Sequence, residues 1–110
     1  MPDSSAATPY RSLCDAARDL VPQIDADACQ ALLRDGRLVI DLREPDELSV
    51  GIIRGATVVA RGLLEKSITD LSPNPSDPVC LYCATGNRSA LAGRMLQQMG
   101  YEDEIGRAHV

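Results

Sequence analysis

At 110 residues the chain is sized for one domain with a modest core, and with no Trp or Phe that core must come mainly from Leu, Ile, Val, Ala and Met. Hydrophobic residues make up 45% and charged residues 25%, an ordinary balance for a globular protein. The net charge of −5 argues against nucleic acid or anionic lipid as a partner, and no apolar run is long enough to span a membrane. Met1 to Ser5 hold no basic stretch leading into an apolar one, so a cytoplasmic location is expected.

Residues 1–23 read as an N-terminal lead with a short helix, and residues 24–110 as the domain proper. The helix is expected over Tyr10 to Val21, with Leu13, Ala17, Leu20 and Val21 on one side and Pro22 ending it. Asp25 or Asp27 caps a second helix whose stripe is Ala28, Leu32 and Leu33, and Gly36 stops it. Leu38-Val39-Ile40 is a short apolar run suited to a strand buried on both faces. Glu44 to Leu48 predicts a helical turn, and Thr57 to Ala60 a second strand. Leu63, Leu64, Ile68 and Leu71 recur at helical spacing before a Pro-rich loop over residues 72–78. Val79 to Tyr82 is a third strand, and Ser89 to Met99 a helix with Leu91, Ala92, Met95, Leu96 and Met99 on one face. Alternating strands and helices predict an α/β fold with a mostly parallel sheet.

The segment richest in chemistry is Val79 to Ser89, a strand running through a short loop into a helix. Cys83 stands where the strand ends, the edge at which parallel α/β sheets bind ligands. Small residues and Gly86 let backbone amides turn inward as an anion-binding nest, and the following helix adds its positive end. A sulfur facing such donors is stabilised as the anion, and the same donors suit a persulfide or an anionic sulfur compound. Arg88 adds a permanent charge, with a side chain free to point elsewhere. The one histidine, His109, sits next to the end of the chain, so activation is assigned to amides rather than to imidazole.

Cys14, Cys29 and Cys80 read as small buried hydrophobes. Cys80 and Cys83 have C-x-x-C spacing, which raises redox and zinc alternatives. Three extended residues separate their Cα atoms by about 10 Å, beyond the roughly 4.4–6.8 Å of a disulfide. Zinc would need further ligands, and Cys14, Cys29 and His109 lack paired spacing. No metal and no cofactor is expected.

Four segments in order resemble one known family. Val39 to Leu48, with Asp41-Leu42-Arg43-Glu44, resembles the first strand and Asp-x-Arg-Glu turn of rhodanese domains. Gly51-Ile52-Ile53-Arg54-Gly55-Ala56 resembles the family's Gly-His-Ile-Pro-Gly-Ala, with Ile52 and Arg54 in place of its His and Pro. Arg61 to Glu65 is similar to a segment of many single-domain members, and Leu81 to Ala90 looks like the active-site loop. The resemblance runs over about residues 24–104.

What the resemblance implies is a three-layer domain, a mostly parallel sheet flanked by helices, and sulfur transfer. Cys83 would become a persulfide by attacking a donor such as thiosulfate, then pass the sulfur to cyanide, a small thiol or a thiol protein. Ala84, Thr85, Gly86, Asn87, Arg88 and Ser89 match the family's substrate-binding loop. Four residues lie between Cys83 and Arg88, one fewer than in the related phosphatases and arsenate reductases, so the loop looks like the sulfur-transferring branch. A relay or sensing module without turnover is the alternative. Asp41 and Arg43 are read as a surface ion pair with a structural role. The residues after Gly100 depart from the family, so its last strand and helix are expected to be cut short. That would bare apolar surface and either destabilise the domain or favour a homodimer through the C-terminal side.

Overall fold

The computed structural model describes residues 6–48, 51, 53–84, 86–101 and 105–109, with backbone alone considered for 105, 108 and 109. In chain order the elements are α1 (Tyr10–Leu20), α2 (Ala26–Arg34), β1 (Leu38–Asp41), α3 (Pro45–Leu48), β2 (Thr57–Val58), a 3₁₀ turn (Arg61–Leu63) continuing into α4 (Leu64–Leu71), β3 (Val79–Cys83), α5 (Asn87–Gln98) and β4 (Ile105–His109). The four strands form one parallel sheet in the order β2-β1-β3-β4.

Parallel strands buried on both faces need layers of helix above and below. Ile40, Leu81 and Val79 pack with Val21, Leu64, Ile68, Ala92, Leu96 and Tyr101, so α1, α4 and α5 cover one face. Val39 and Cys80 point the other way, into a smaller cluster with Cys29, Leu32 and Leu33 of α2. The expected three-layer α/β architecture is what the chain adopts.

Local signals act as read in several places. Asp25 caps α2, its side chain accepting from the Ala28 amide at 2.8 Å. Pro22 follows the end of α1. Helix α5 begins at Asn87, two residues ahead of the expectation, because Gly86 at φ +85° makes the left-handed turn that releases the chain into it. Its buried side is Ser89, Ala90, Ala92, Gly93 and Leu96, whereas Met95 and Met99 stand at the surface. The expected face held Ala92 and Leu96 but missed Ser89, Ala90 and Gly93, small residues that let α5 lie close to the sheet and α1.

Two expectations are corrected. The last strand is present: β4 pairs with β3 from Val79↔Ile105 to Cys83↔His109. Ile105-Gly106-Arg107-Ala108-His109 has no apolar run, so propensity gave no sign of it. The strand is held by its ladder, and its outer side meets residues 22–24. The Arg107 amide donates to Pro22 O and the Ile24 amide to Arg107 O, both at 2.9 Å. Gly106 permits that closeness, since a Cβ there would meet Ile24 Cγ2 at 3.2 Å. Asp41 and Arg43 are not a surface pair either. Asp41 is fully buried and Arg43 nearly so, with Nη2 to Asp41 Oδ2 at 2.8 Å and to Gly51 O at 2.8 Å. The Arg43 guanidinium also lies over the Tyr82 ring, 5.2 Å from its centroid. The pair ties the end of β1 to the loop at Gly51 and so braces the edge of the sheet where Cys83 stands.

Candidate active site

Alternation along β3 sends Cys83 to the same face as Val79 and Leu81, under the first turn of α5. The sulfur is fully buried, yet its surroundings are polar. Sγ accepts from the Gly86 amide at 3.0 Å and from the Ser89 amide at 3.4 Å. The Ser89 hydroxyl completes the set: the thiol donates to Ser89 Oγ at 3.3 Å, and Oγ donates to Gly86 O at 3.2 Å. Turning that hydroxyl toward the sulfur would give an anion a third donor. Because Gly86 folds the loop back, two amides of a helix start converge on one atom.

The six residues predicted as a binding loop divide. Gly86 and Ser89 donate to the sulfur. Ala84 is partly buried beside the end of β3, with no polar contact to the sulfur. Thr85 lies outside the described residues. Asn87 starts α5, and its Oδ1 accepts from Arg18 Nη2 of α1. Arg88 points away from the sulfur and grips Glu47 of α3 with both ends of its fork, Nη1–Oε1 at 2.7 Å and Nη2–Oε2 at 2.8 Å. That bond, with the Glu44 amide donating to Glu47 Oε1 at 2.9 Å, holds the Glu47 carboxyl down at about 2. The same pairing raises Arg88.

The sequence reading did not find Arg18 or Glu47. Their partners are 69 and 41 residues away, and no local pattern encodes a contact across such spans. His109 was set aside for its place near the terminus, but strand register brings it beside Cys83. The other cysteines stay apart from this site. Cys80 is three residues from Cys83 on the opposite face of the sheet, and burial beside Cys29 pushes its thiol far up. The C-x-x-C spacing is therefore split across the sheet, as the extended geometry required.

A strand end that delivers a cysteine to converging amides can stabilise an anionic sulfur, and the chain has recognisable relatives among known proteins. The chain is 30% identical over 87 residues to a putative sulfur carrier protein, YrkF, of Bacillus subtilis, covering 77% of this chain and 46% of that one. It is 31% identical over 62 residues to the thiosulfate sulfurtransferase PspE of Escherichia coli, covering 56% and 60%. The chain thus spans about half the length of the curated relatives it matches. Among solved structures, a protein of unknown function from Rhodopseudomonas palustris, described as a possible tyrosine phosphatase, superposes with TM-score 0.76 at 28% identity over 99% of this chain and 89% of that one. The polysulfide-sulfur transferase homodimer of Wolinella succinogenes superposes with TM-score 0.74 at 26% identity, over 92% and 77%. Residues 25–107 match the model of the rhodanese-like domain, and the chain belongs to that family.

Proposed function

We propose that the chain transfers sulfane sulfur through a persulfide on Cys83. The observation that carries this reading is the convergence of the Gly86 and Ser89 amides and the Ser89 hydroxyl on one sulfur. The Cys83 thiolate attacks the outer sulfur of thiosulfate. A new S–S bond forms, the S–S bond of the donor breaks, and sulfite leaves with its electron pair. Cyanide or a thiolate then attacks the outer sulfur of the persulfide, and Cys83 departs as thiolate, ready for another cycle. The amides and Ser89 hold negative charge on sulfur at both stages. Of the remaining loop positions, Ala84, Asn87 and Arg88 form the rim against which the donor rests, with Arg88 fixing the rim through Glu47, and Thr85 is assigned to donor binding with them.

A cytosolic, reducing setting belongs to this reading, because reduced Cys83 is its starting state. A homodimer through the C-terminal side has less support, since residues 22–24 already meet the outer side of β4. The four-residue gap between Cys83 and Arg88 favours sulfur over phosphate chemistry, so aryl phosphate hydrolysis is not expected.

A second reading, a relay that takes sulfur only from a partner protein, is favoured by the complete burial of Cys83 and by the sulfur carrier among the relatives. One experiment separates them. Thiosulfate alone should add one sulfur to Cys83 by peptide mass spectrometry, and cyanide should remove it as thiocyanate. Cys83→Ser should abolish both. Sulfur loading that needs a donor protein would favour the relay, and no loading under either condition would overturn sulfur transfer.

A further inference from the structure

Among the described residues, one buried cation has no anionic partner. Arg107 of β4 is only 7% exposed. Its side chain bonds two neutral oxygens, Val21 O from Nε at 3.0 Å and Gln23 Oε1 from Nη1 at 3.4 Å. Among the described residues no carboxylate lies within ion-pair distance of it. Leaving a guanidinium so placed is costly unless some other negative charge offsets it.

Strand register places Arg107 close to the sulfur on which a negative charge would form. Arg107 pairs with Leu81, and two residues further on Cys83 faces the same side of the sheet as Leu81. Arg107 therefore sits one side-chain step below the cradle, on the α1 and α5 side. Arg18 reaches the same region from α1, where it bonds Asn87 at the start of α5. Its carboxylate partner, Asp15, is mostly solvated and 3.3 Å away, so Arg18 keeps much of its positive field. Arg88, by contrast, is neutralised by Glu47.

Resting on the sulfur-transfer reading, we propose that Arg107 and Arg18 form a second tier of positive charge behind Cys83, outside the loop, that makes the site favour anionic over neutral sulfur reagents. The three groups feel one another. Burial pushes the Arg107 guanidinium down, the like charge of Arg18 pushes it the same way, and the Cys83 sulfur draws it back up. Two cations that repel each other beside one sulfur are relieved when an anion arrives. Arg107 and Arg18 do not touch the reacting atoms. They are positioning residues acting through the field at Cys83. Tyr10 of α1 and Tyr82, which points to the other face of the sheet, also feel the charge of this sulfur, but as neutral phenols they do not supply the positive tier.

Alkylation tests this without any sulfur transfer. Iodoacetate and iodoacetamide perform the same displacement and differ by one negative charge. The ratio of their rates at Cys83, read by peptide mapping, reports the local field. Arg18→Gln, at a half-exposed position, and Arg107→Met should each lower the ratio about three- to tenfold. Arg107→Lys should retain it, and added salt should compress it in the parent protein. A merely structural Arg107 would slow both reagents together and leave the ratio unmoved. An unchanged ratio in Arg18→Gln, or a Cys83 inert to both reagents, overturns the inference. If Arg107→Met fails to fold, Arg18→Gln decides alone. Loss of persulfide formation with an intact ratio would instead sink the sulfur-transfer reading.

Discussion

Ser89→Ala removes one oxygen from the most connected point of the site. That oxygen accepts from the Cys83 thiol at 3.3 Å and donates to Gly86 O at 3.2 Å, and Ser89 is fully buried. Two hydrogen bonds at roughly 0.5–1.5 kcal/mol each give an expected stability loss of about 1–3 kcal/mol. The effect on reactivity is larger, because the hydroxyl can turn and donate to a sulfur anion. A hydrogen bond to a charged group contributes about 1.5–3 kcal/mol, which is roughly a 10- to 150-fold fall in rate at 1.36 kcal/mol per decade. Urea denaturation reads the first quantity, and the rate of Cys83 alkylation by iodoacetamide reads the second. The backbone donors Gly86 and Ser89 remain in the variant, so the rate should fall without vanishing. An alkylation rate within about twofold of the parent, in a variant that is still folded, would refute the claim that this hydroxyl supports the sulfur anion.

Two further outcomes follow from named groups. Arg88 holds Glu47 at about 2 against its ordinary 4.5, so the ionised pair contributes fully above pH 4.5 and is withdrawn as pH falls toward 2. Glu47→Gln should flatten stability across that window, and unaltered acid titration by circular dichroism would count against the pairing. Activation is assigned to amides and Ser89, so His109→Gln should leave Cys83 alkylation nearly unchanged. A drop of about a hundredfold, the size of a general-base contribution, would hand that role to imidazole.

What could be read from sequence depended on the distance over which information is encoded. The apolar runs at Leu38-Val39-Ile40 and Val79 to Tyr82 specify strands locally, and both form close to where they were expected. The cysteine at a strand end, the glycine and the helix start also lie within a dozen residues, so the cradle was legible as a unit. β4 was not, because Ile105 to His109 becomes a strand through its ladder with β3 and contact with residues 22–24. The burial of Asp41 and Arg43 likewise depends on Gly51 O and the Tyr82 ring. Arg18 and Glu47 went unnoticed because only the fold brings α1 and α3 to the adjacent residues Asn87 and Arg88 at the start of α5. Charged residues carry no periodic signature of their partners, so sequence reading is weakest where distant side chains complete a site.

Complete enclosure of the Cys83 sulfur sets a clock on whatever chemistry it performs. A reagent can reach an atom that presents no surface only if the structure around it yields, so access as well as bond making would enter the rate of any chemistry at Cys83. The same enclosure would protect a loaded persulfide from reductants in the surrounding solution. Such a domain would trade speed for retention, releasing its cargo only to acceptors that arrive while the sulfur is accessible.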